Sequence, residues 1–252
     1  MALIDFDNVD LVYPVRENRG LTLKDLVLKG LFRKENAKRW TAVEALKQVS
    51  FRIGDGERVG IIGRNGAGKS TLLRAIGGVF PVHTGRRIVD GTICSLFDIG
   101  LGFEFTASGW DNIRFRGYLQ GETPRSIAAK MKEIADFTEL GEFLNLPLQC
   151  YSTGMIMRLA FAIATSGHPE VLLVDEVFGT GDLGFQQKAE ARMKEFMGRA
   201  RIVVMVGHNL DFLQEFSTRM LWLHQGHMCA DGAPREVVAR YRDEVNPQKA
   251  AA

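Results

Sequence analysis

One stretch constrains the fold more than any other part of the chain: GRNGAGKST, residues 63–71. Its spacing matches G-x-x-x-x-G-K-[ST], from Gly63 to Ser70. The apolar run ERVGII before it predicts a buried strand. The segment TLLRAIGG after it predicts a helix that two glycines end. A strand, a glycine-rich loop and a helix in this order predict a phosphate-binding loop.

The chemistry of this loop favours a nucleoside triphosphate, such as ATP, as the ligand. Glycines let backbone N–H groups approach an anion, and the positive end of the following helix points at the same place. Lys69 is predicted to reach the β- and γ-phosphates, and Ser70 to ligate Mg²⁺. The alternative is an ordinary glycine-rich turn with a surface lysine, which the flanking pattern disfavours. The predicted nucleotide-binding residues of the loop are Gly63, Arg64, Asn65, Gly66, Ala67, Gly68, Lys69, Ser70 and Thr71.

The composition of the 252 residues predicts a soluble globular protein. Hydrophobic residues make up 46% and charged residues 25%, and the net charge of +2 argues against a dedicated nucleic-acid binder. No apolar run approaches the roughly 20 residues that cross a bilayer, and the N-terminus lacks the pattern of a secretory signal. Three widely separated cysteines, Cys94, Cys150 and Cys229, are typical of reduced thiols in the cytosol.

The order of predicted elements indicates an α/β fold. ALIDFDNVDLVY alternates apolar and polar residues and predicts a first strand, and two further strands flank a tight turn at residues 54–56. Residues 82–97 predict more strands, and residues from about 106 to 168 have helical patterns. The compact apolar runs VLLVDEVF and RIVVMVGH predict core strands of a mostly parallel sheet. APREVVARYRDEV predicts a closing helix.

We therefore predict a P-loop NTPase core with a mixed, mostly parallel sheet, N-terminal antiparallel strands and an inserted α-helical lobe. The predicted boundaries are residues 1–245 for a single domain and about 100–168 for the lobe. Residues 246–252 are expected to form a flexible tail.

The segment 14–40 differs in charge from the rest of the chain. It carries eight Lys or Arg residues against three acidic ones. A capping-box pattern begins at Thr22, and Leu23, Leu26 and Leu31 follow at helical spacing. The segment therefore predicts a short basic amphipathic helix inserted between two strands. Two interpretations stay open: a solvated helix packed on its own domain, or a helix that binds a membrane surface or a partner.

Two neighbouring carboxylates follow the run VLLV, at the carboxyl end of a predicted buried strand. Ligands bind at this end of the strands in an open α/β sheet. Asp175 is therefore predicted to hold Mg²⁺, and Glu176 to position or deprotonate the attacking water. A solvated strand end is the alternative, which a complete phosphate loop in the same chain disfavours.

With these motifs the chain resembles the nucleotide-binding subunit of an ABC transporter, from Asp5 to about Tyr241. In that family a signature loop follows the helical lobe, and YSTGM, residues 151–155, occupies its place. The resemblance assigns a nucleotide-site acid to Asp182 and a switch histidine to His208.

The resemblance also predicts an aromatic platform for adenine. Tyr13, which is expected to close the first strand, matches the stacking aromatic of the family. Trp40 is a rival for the same role, and either ring is also compatible with core packing.

The signature loop implies a partner copy. A serine hydroxyl and backbone amides at a helix N-terminus, from Ser152, Thr153 and Gly154, make a second anion site. By analogy with the family, this site caps the γ-phosphate bound to the other subunit of a head-to-tail homodimer. ATP then holds the two copies together, and hydrolysis opens the dimer. His208 is expected to hydrogen-bond the γ-phosphate and the attacking water.

Two departures from the family pattern point to one branch. The usual signature is Leu-Ser-Gly-Gly-Gln, and this chain has Tyr151, Thr153 and Met155 instead of the Leu, the first Gly and the Gln. The glutamine that enters the helical lobe in the family is missing, and Asp98 is the nearest polar candidate for that Mg²⁺-coupling position. Both departures resemble ATPases that export lipid-linked polysaccharides such as O antigens, capsules and teichoic acids.

That branch implies partners and a location. The expected partners are a second ATPase subunit, integral membrane permease subunits and, through the permease, a lipid-linked polysaccharide. The expected location is peripheral, on the cytoplasmic face of the inner membrane, with the basic helix of residues 14–40 at the membrane surface. The alternatives are an ABC ATPase of another transporter branch and a non-transport ABC protein that clamps ribosomes or DNA. Members of the latter class usually carry two cassettes or long coiled coils, and this chain has one cassette and no sustained heptads.

Overall fold

Two β-sheets organise the protein in a computed structural model that describes residues 1–16, 40–97, 99–175 and 183–245. The strands are β1 Leu3–Arg16, β2 Trp40–Gly54, β3 Arg58–Ile62, β4 Thr84–Asp90, β5 Ile93–Ser95, β6 Val171–Asp175, β7 Ile202–Val206, β8 Arg219–His224 and β9 His227–Gly232. The helices are α1 Lys69–Ile76, α2 Gly109–Leu119, α3 Pro124–Thr138, α4 Thr153–Ala164, α5 Leu183–Arg199, α6 Leu210–Phe216 and α7 Pro234–Val245. Two short 3₁₀ turns, Gly141–Asn145 and Leu148–Cys150, separate α3 from α4.

The smaller sheet is antiparallel and has the order β2-β1-β4. Strand β1 runs past Tyr13 to Arg16, so Tyr13 does not close the strand as the sequence predicted. The turn predicted at residues 54–56 does join two strands, but they do not form a hairpin, because β2 pairs with β1 whereas β3 pairs with β7 and β8. The turn therefore carries the chain from one sheet to the other.

The larger sheet has the order β5-β6-β7-β3-β8-β9, and all of its pairings are parallel except β8 with β9. Strands β3 and β7 are almost wholly buried, as expected for strands that helices cover on both faces. In the register, Val206 of β7 lies beside both Ile61 of β3 and Asp175 of β6. The carboxyl ends of these three strands therefore lie side by side at the same edge of the sheet.

The helical lobe has its own hydrophobic cluster, which includes Ile113, Ile127 and Leu159 from α2, α3 and α4. Helices α2, α3 and α4 begin at capping hydroxyls, those of Ser108, Thr123 and Ser152. With the mixed sheet and the antiparallel N-terminal strands, this lobe confirms the predicted fold class.

Helices α5 and α6 were not predicted from the sequence. Phe185, Met193, Phe196 and Met197 of α5 are buried against the larger sheet at helical spacing. The helical spacing of apolar residues is therefore present in the sequence of α5. The signal is weak, because mostly polar residues separate Phe185 from the other three buried positions.

Several predictions concern residues outside the described ranges. These are most of the basic insert 14–40, the tail 246–252, and Asp98, Glu176 and Asp182. None of the helices within the described ranges is both long enough and apolar enough to cross a bilayer.

Candidate functional site

A cavity of about 680 Å³ opens where the carboxyl ends of β3, β6 and β7 meet. It brings together predicted site residues from distant parts of the sequence. These are Tyr13 from β1, residues of the phosphate loop, Asp175 from the end of β6, and His208 beyond β7. The loop residues that line it are Asn65, Gly66, Gly68, Lys69, Ser70 and Thr71. We refer to it below as the nucleotide cavity.

The glycines of the loop adopt backbone conformations that other residues disfavour. Gly68 has a φ of 104°, and a Cβ at this position would lie 2.7 Å from the carbonyl oxygen of Ala45. At Gly63 a Cβ would lie 2.3 Å from the carbonyl oxygen of Leu223. These close approaches pack the loop against β2 and β8, which explains why glycine is needed there. Because Gly68 is also the N-cap of α1, no Cβ stands over the amides of the first helical turn.

Lys69 is buried and is already oriented by the loop. Its Nζ donates hydrogen bonds to the carbonyl oxygens of Gly63 at 2.8 Å and Arg64 at 3.2 Å. Only 7% of its surface is exposed, and the residue lines the nucleotide cavity. Gly63, Arg64 and Ala67 are not among the residues that line the cavity, so they shape the loop rather than the cavity wall. The ammonium group is therefore held close to where phosphates would bind.

Asp175 and Ser70 line the same cavity and offer a carboxylate and a hydroxyl, both oxygen ligands that suit Mg²⁺. Strand β6 brings Asp175 to the cavity, and the first turn of α1 brings Ser70. His208 lies two residues after the end of β7, the strand next to β6. Its side chain is exposed and also lines the cavity.

Tyr13 lines the nucleotide cavity and also packs against the core. Its hydroxyl lies 3.3 Å from Oγ1 of Thr71. Its ring meets Phe80 edge to face, with 5.2 Å between the centroids. The ring is therefore fixed beside the phosphate loop. The backbone of Trp40 pairs with Arg16, and the Trp40 side chain lies outside the description.

The signature residues lie in a different place. A cleft of about 470 Å³ at the start of α4 is lined by Glu139, Leu140, Phe143, Ser152, Gly154, Met155 and Arg158. The Ser152 hydroxyl accepts a hydrogen bond from the backbone N–H of Met155 at 3.2 Å. Among the described residues, this signature cleft and the nucleotide cavity have no lining residue in common. Thr153 is exposed at the first position of α4 and does not line the cleft.

The departure at Tyr151 has a structural reason. The ring is buried in the lobe, and its hydroxyl donates a 2.7 Å hydrogen bond to the carbonyl oxygen of Phe143. Burial and, to a smaller extent, the neighbouring Cys150 raise the pKa of the Tyr151 phenol to about 12. Tyr151 thus joins the signature loop to the 3₁₀ turn Gly141–Asn145, through a hydrogen bond that a leucine cannot make.

Sequence reasoning missed several cavity residues. Gln225 and Gly226, in the turn between β8 and β9, line the nucleotide cavity beside Lys47 of β2. Glu139 and Arg158 line the signature cleft. A turn at Gln225-Gly226 is visible in the sequence, but its approach to the phosphate loop depends on sheet pairing. Nothing in the local sequence marks Glu139.

Known proteins resemble this chain over most of its length. A family model described as ABC transporter matches residues 46–179, more than half of the chain. The chain is 40% identical over 230 residues to the O-antigen export system ATP-binding protein RfbE of Yersinia enterocolitica, covering 90% of this chain and 96% of that protein. It is 35% identical over 242 residues to the teichoic acids export ATP-binding protein TagH of Listeria monocytogenes serotype 4b (strain F2365), covering 96% and 70%.

Solved structures share the fold. A dimeric ATP-binding cassette in a post-hydrolysis state, bound to ADP and phosphate, matches with a TM-score of 0.67 and 21% identity, covering 92% of this chain and 99% of that one. The ATP-binding subunit of an ABC transporter matches with a TM-score of 0.69 and 18% identity, covering 95% and 93%.

Proposed function

The chain belongs to the ABC transporter family, and from that premise we propose that it is the ATP-hydrolysing subunit of an exporter for a lipid-linked polysaccharide. One observation carries the ATPase part of the proposal. The nucleotide cavity gathers a buried lysine, a hydroxyl, a carboxylate and a histidine around a glycine loop at the N-terminus of α1. Such a set binds a triphosphate and stabilises the charge that develops during its hydrolysis.

In this proposal Lys69 and the amides of residues 63–71 hold the phosphates, and Tyr13 stacks on adenine. Ser70 and Asp175 hold Mg²⁺, which supplies positive charge to the phosphate oxygens when it is bound. Asp98 is the remaining candidate for the Mg²⁺ environment. These roles are assigned from the motifs, and the nucleotide cavity, which Tyr13, Lys69, Ser70 and Asp175 all line, supports those of these four residues.

The groups proposed to activate water are assigned from their positions just after β6 and β7. Glu176 comes directly after Asp175 and is proposed to take the proton of the attacking water. His208, from the neighbouring strand end, is proposed to orient that water and the γ-phosphate. Asp182 is proposed to act in the same site from the loop after β6.

We further propose that two copies complete the site. Ser152, Thr153 and Gly154 are separated from the nucleotide cavity of their own chain, so they are free to serve the nucleotide of another. The N-terminus of α4, where they lie, favours an anion. ATP would then bridge two copies in a head-to-tail homodimer.

The transport part of the proposal rests on the similar proteins, whose printed names describe export of O antigen and of teichoic acids. Both are surface glycopolymers, which favours a lipid-linked polysaccharide as the substrate. We propose that permease subunits span the membrane and that this subunit is peripheral on the cytoplasmic face. In this arrangement the basic insert of residues 14–40 lies at the membrane surface.

Depletion of the protein in its host tests the proposal. Lipid-linked polysaccharide should accumulate on the inner side of the cytoplasmic membrane, and surface polysaccharide should disappear. Re-expression of the natural chain should restore export, and Lys69→Ala should not. Normal surface polysaccharide in depleted cells would contradict the proposed transport function.

A further inference from the structure

Three charged side chains, from α4, from α5 and from the residue that caps the C-terminus of α3, meet at one side of the signature cleft. Glu139, at the C-terminus of α3, lies 2.7 Å from the ammonium group of Lys188 in α5. Its other carboxylate oxygen lies 4.0 Å from Nη1 of Arg158 in α4. Glu139 and Arg158 both line the cleft, alongside Ser152 and Gly154. A carboxylate therefore lies in a cleft that the proposed function assigns to a phosphate.

The backbone and the cations fix this carboxylate in position. Glu139 has a φ of 58°, a left-handed conformation that a residue with a side chain seldom adopts. The ammonium group of Lys188 also donates a 3.0 Å hydrogen bond to the carbonyl oxygen of Phe137, in the last turn of α3. It lies 4.8 Å from the centroid of the Phe137 ring as well. Lys188 thus hydrogen-bonds a terminal carbonyl group of α3 and pairs with the Glu139 carboxylate at the same time.

An unneutralised carboxylate at this place would oppose anion binding by like-charge repulsion. With Lys188 and Arg158 beside Glu139, the three side chains together carry one net positive charge. We propose that Lys188 is a positioning residue that neutralises Glu139 and so makes the signature cleft receptive to the phosphate of a second copy's nucleotide. The inference rests on the proposed function, because it assumes that the cleft binds the nucleotide of another copy.

Helix α5 supplies a matched control. Arg192 lies one turn after Lys188 and forms a 2.6 Å ion pair with Glu133 of α3. This pair joins the same two helices and is also partly buried, but it does not line the signature cleft. Loss of the Arg192 pair removes helix–helix contact without changing the charge of the cleft. The two pairs therefore separate the role of cleft charge from that of general stability.

The test measures ATP-dependent dimerisation by light scattering in the full chain carrying Glu176→Gln, which is expected to slow hydrolysis. Lys188→Met should raise the ATP concentration at half-dimerisation by about three- to tenfold, the effect of one charge at a partly exposed site. Glu139→Gln alone should lower it. The double variant, which has the natural net charge, should return to within about twofold of the parent. Arg192→Met should leave the value unchanged, and thermal unfolding of every variant reports on stability.

The outcomes separate this inference from the proposal beneath it. A parent that stays monomeric with ATP would refute the composite site, and the inference with it. A parent that dimerises but is indifferent to Lys188→Met would overturn the inference alone. Equal losses in Lys188→Met and Arg192→Met, or no rescue by Glu139→Gln, would likewise assign Lys188 a merely structural role. The inference is supported if Glu139→Gln dimerises at the lowest ATP concentration and Lys188→Met at the highest. The parent and the double variant should then lie between them.

Discussion

Lys69 is the residue on which ATP turnover should depend most strongly. The side chain is buried and held by two loop carbonyls, so its charge is positioned before any ligand arrives. Lys69→Ala removes the main cationic partner of the γ-phosphate, and turnover should fall by about 10²-fold or more. Phosphate release measures the loss. Lys132→Ala, on an exposed surface of α3, should behave like the natural chain, and a Lys69→Ala variant with natural turnover would refute the loop assignment.

Two loop glycines should differ in how well they tolerate a methyl group. Gly66 and Gly68 both have positive φ, so alanine at either should cost about 1–2 kcal/mol. At Gly66 no atom of the described residues lies within 4 Å of an added Cβ, whereas at Gly68 the Ala45 carbonyl lies at 2.7 Å. Gly68→Ala should therefore cost about 1–3 kcal/mol more. Denaturant unfolding of both variants measures the difference, and equal losses would contradict the close approach of loop and β2.

Site residues that belong to a local sequence motif were predictable from the sequence. Site residues that only tertiary packing brings together were not. The spacing of residues 63–71 and the strand-end position of Asp175 are local, and both lie where the nucleotide cavity forms. Glu139 and Arg158 meet only because α3 and α4 pack together, which no local pattern records. The roles of Glu176, Asp182 and Asp98 stay predictions, since these residues lie outside the described ranges.

The signature loop departs from the family pattern at Tyr151, whose hydroxyl ties the loop to the lobe. Tyr151→Phe keeps the buried ring but removes the hydrogen bond to the Phe143 carbonyl. The variant should lose about 1 kcal/mol of unfolding free energy, the scale of one such bond. Thermal or denaturant unfolding measures this loss. Because the hydroxyl lies outside the signature cleft, ATP turnover should change little, and unchanged stability would show that the bond contributes nothing.

The basic insert of residues 14–40 is predicted to have a role separate from nucleotide binding. Its eight Lys or Arg residues and amphipathic pattern favour an anionic membrane surface over nucleotide chemistry. Deletion of residues 20–36 should leave nucleotide binding by the isolated subunit intact and should stop polysaccharide export in cells. Nucleotide titration of the purified variant and surface staining of the cells measure the two effects. Export at the natural level in the deletion variant would contradict a role of the insert in transport.

Element order was easier to predict than element pairing. Periodicity located β6 and β7 and the helical lobe, because these segments carry strong local patterns. The turn at residues 54–56 joins two strands as predicted, but the partners of β3 were not predicted, since it pairs with Val203 and Arg219 rather than with its neighbour in sequence. Strand pairing across such separations depends on which faces the helices bury, and a sequence pattern does not record that choice.

At the scale of the whole molecule, the described residues form two cavities that share no lining residue. The nucleotide cavity lies at the end of the larger sheet, and the signature cleft lies at the start of α4. In the proposed function, the first cavity holds the phosphates of a copy's own nucleotide and the second caps the nucleotide of another copy. The central claim is that a second copy joins them, so that ATP binding and hydrolysis close and open a dimer.

The measurement that tests this claim most directly is light scattering of Glu176→Gln with and without ATP, alone and with the permease. Hydrolysis should be slower by about 10²-fold or more, so that ATP persists and the variant shifts from monomer to dimer. Adding Gly154→Asp should abolish the shift, because a carboxylate would face the γ-phosphate. The described neighbourhood has room for that side chain, since the nearest atom to a Cβ at Gly154 is Oγ of Ser152 at 3.9 Å. An ATP-dependent dimer that is indifferent to Gly154→Asp would contradict the composite site.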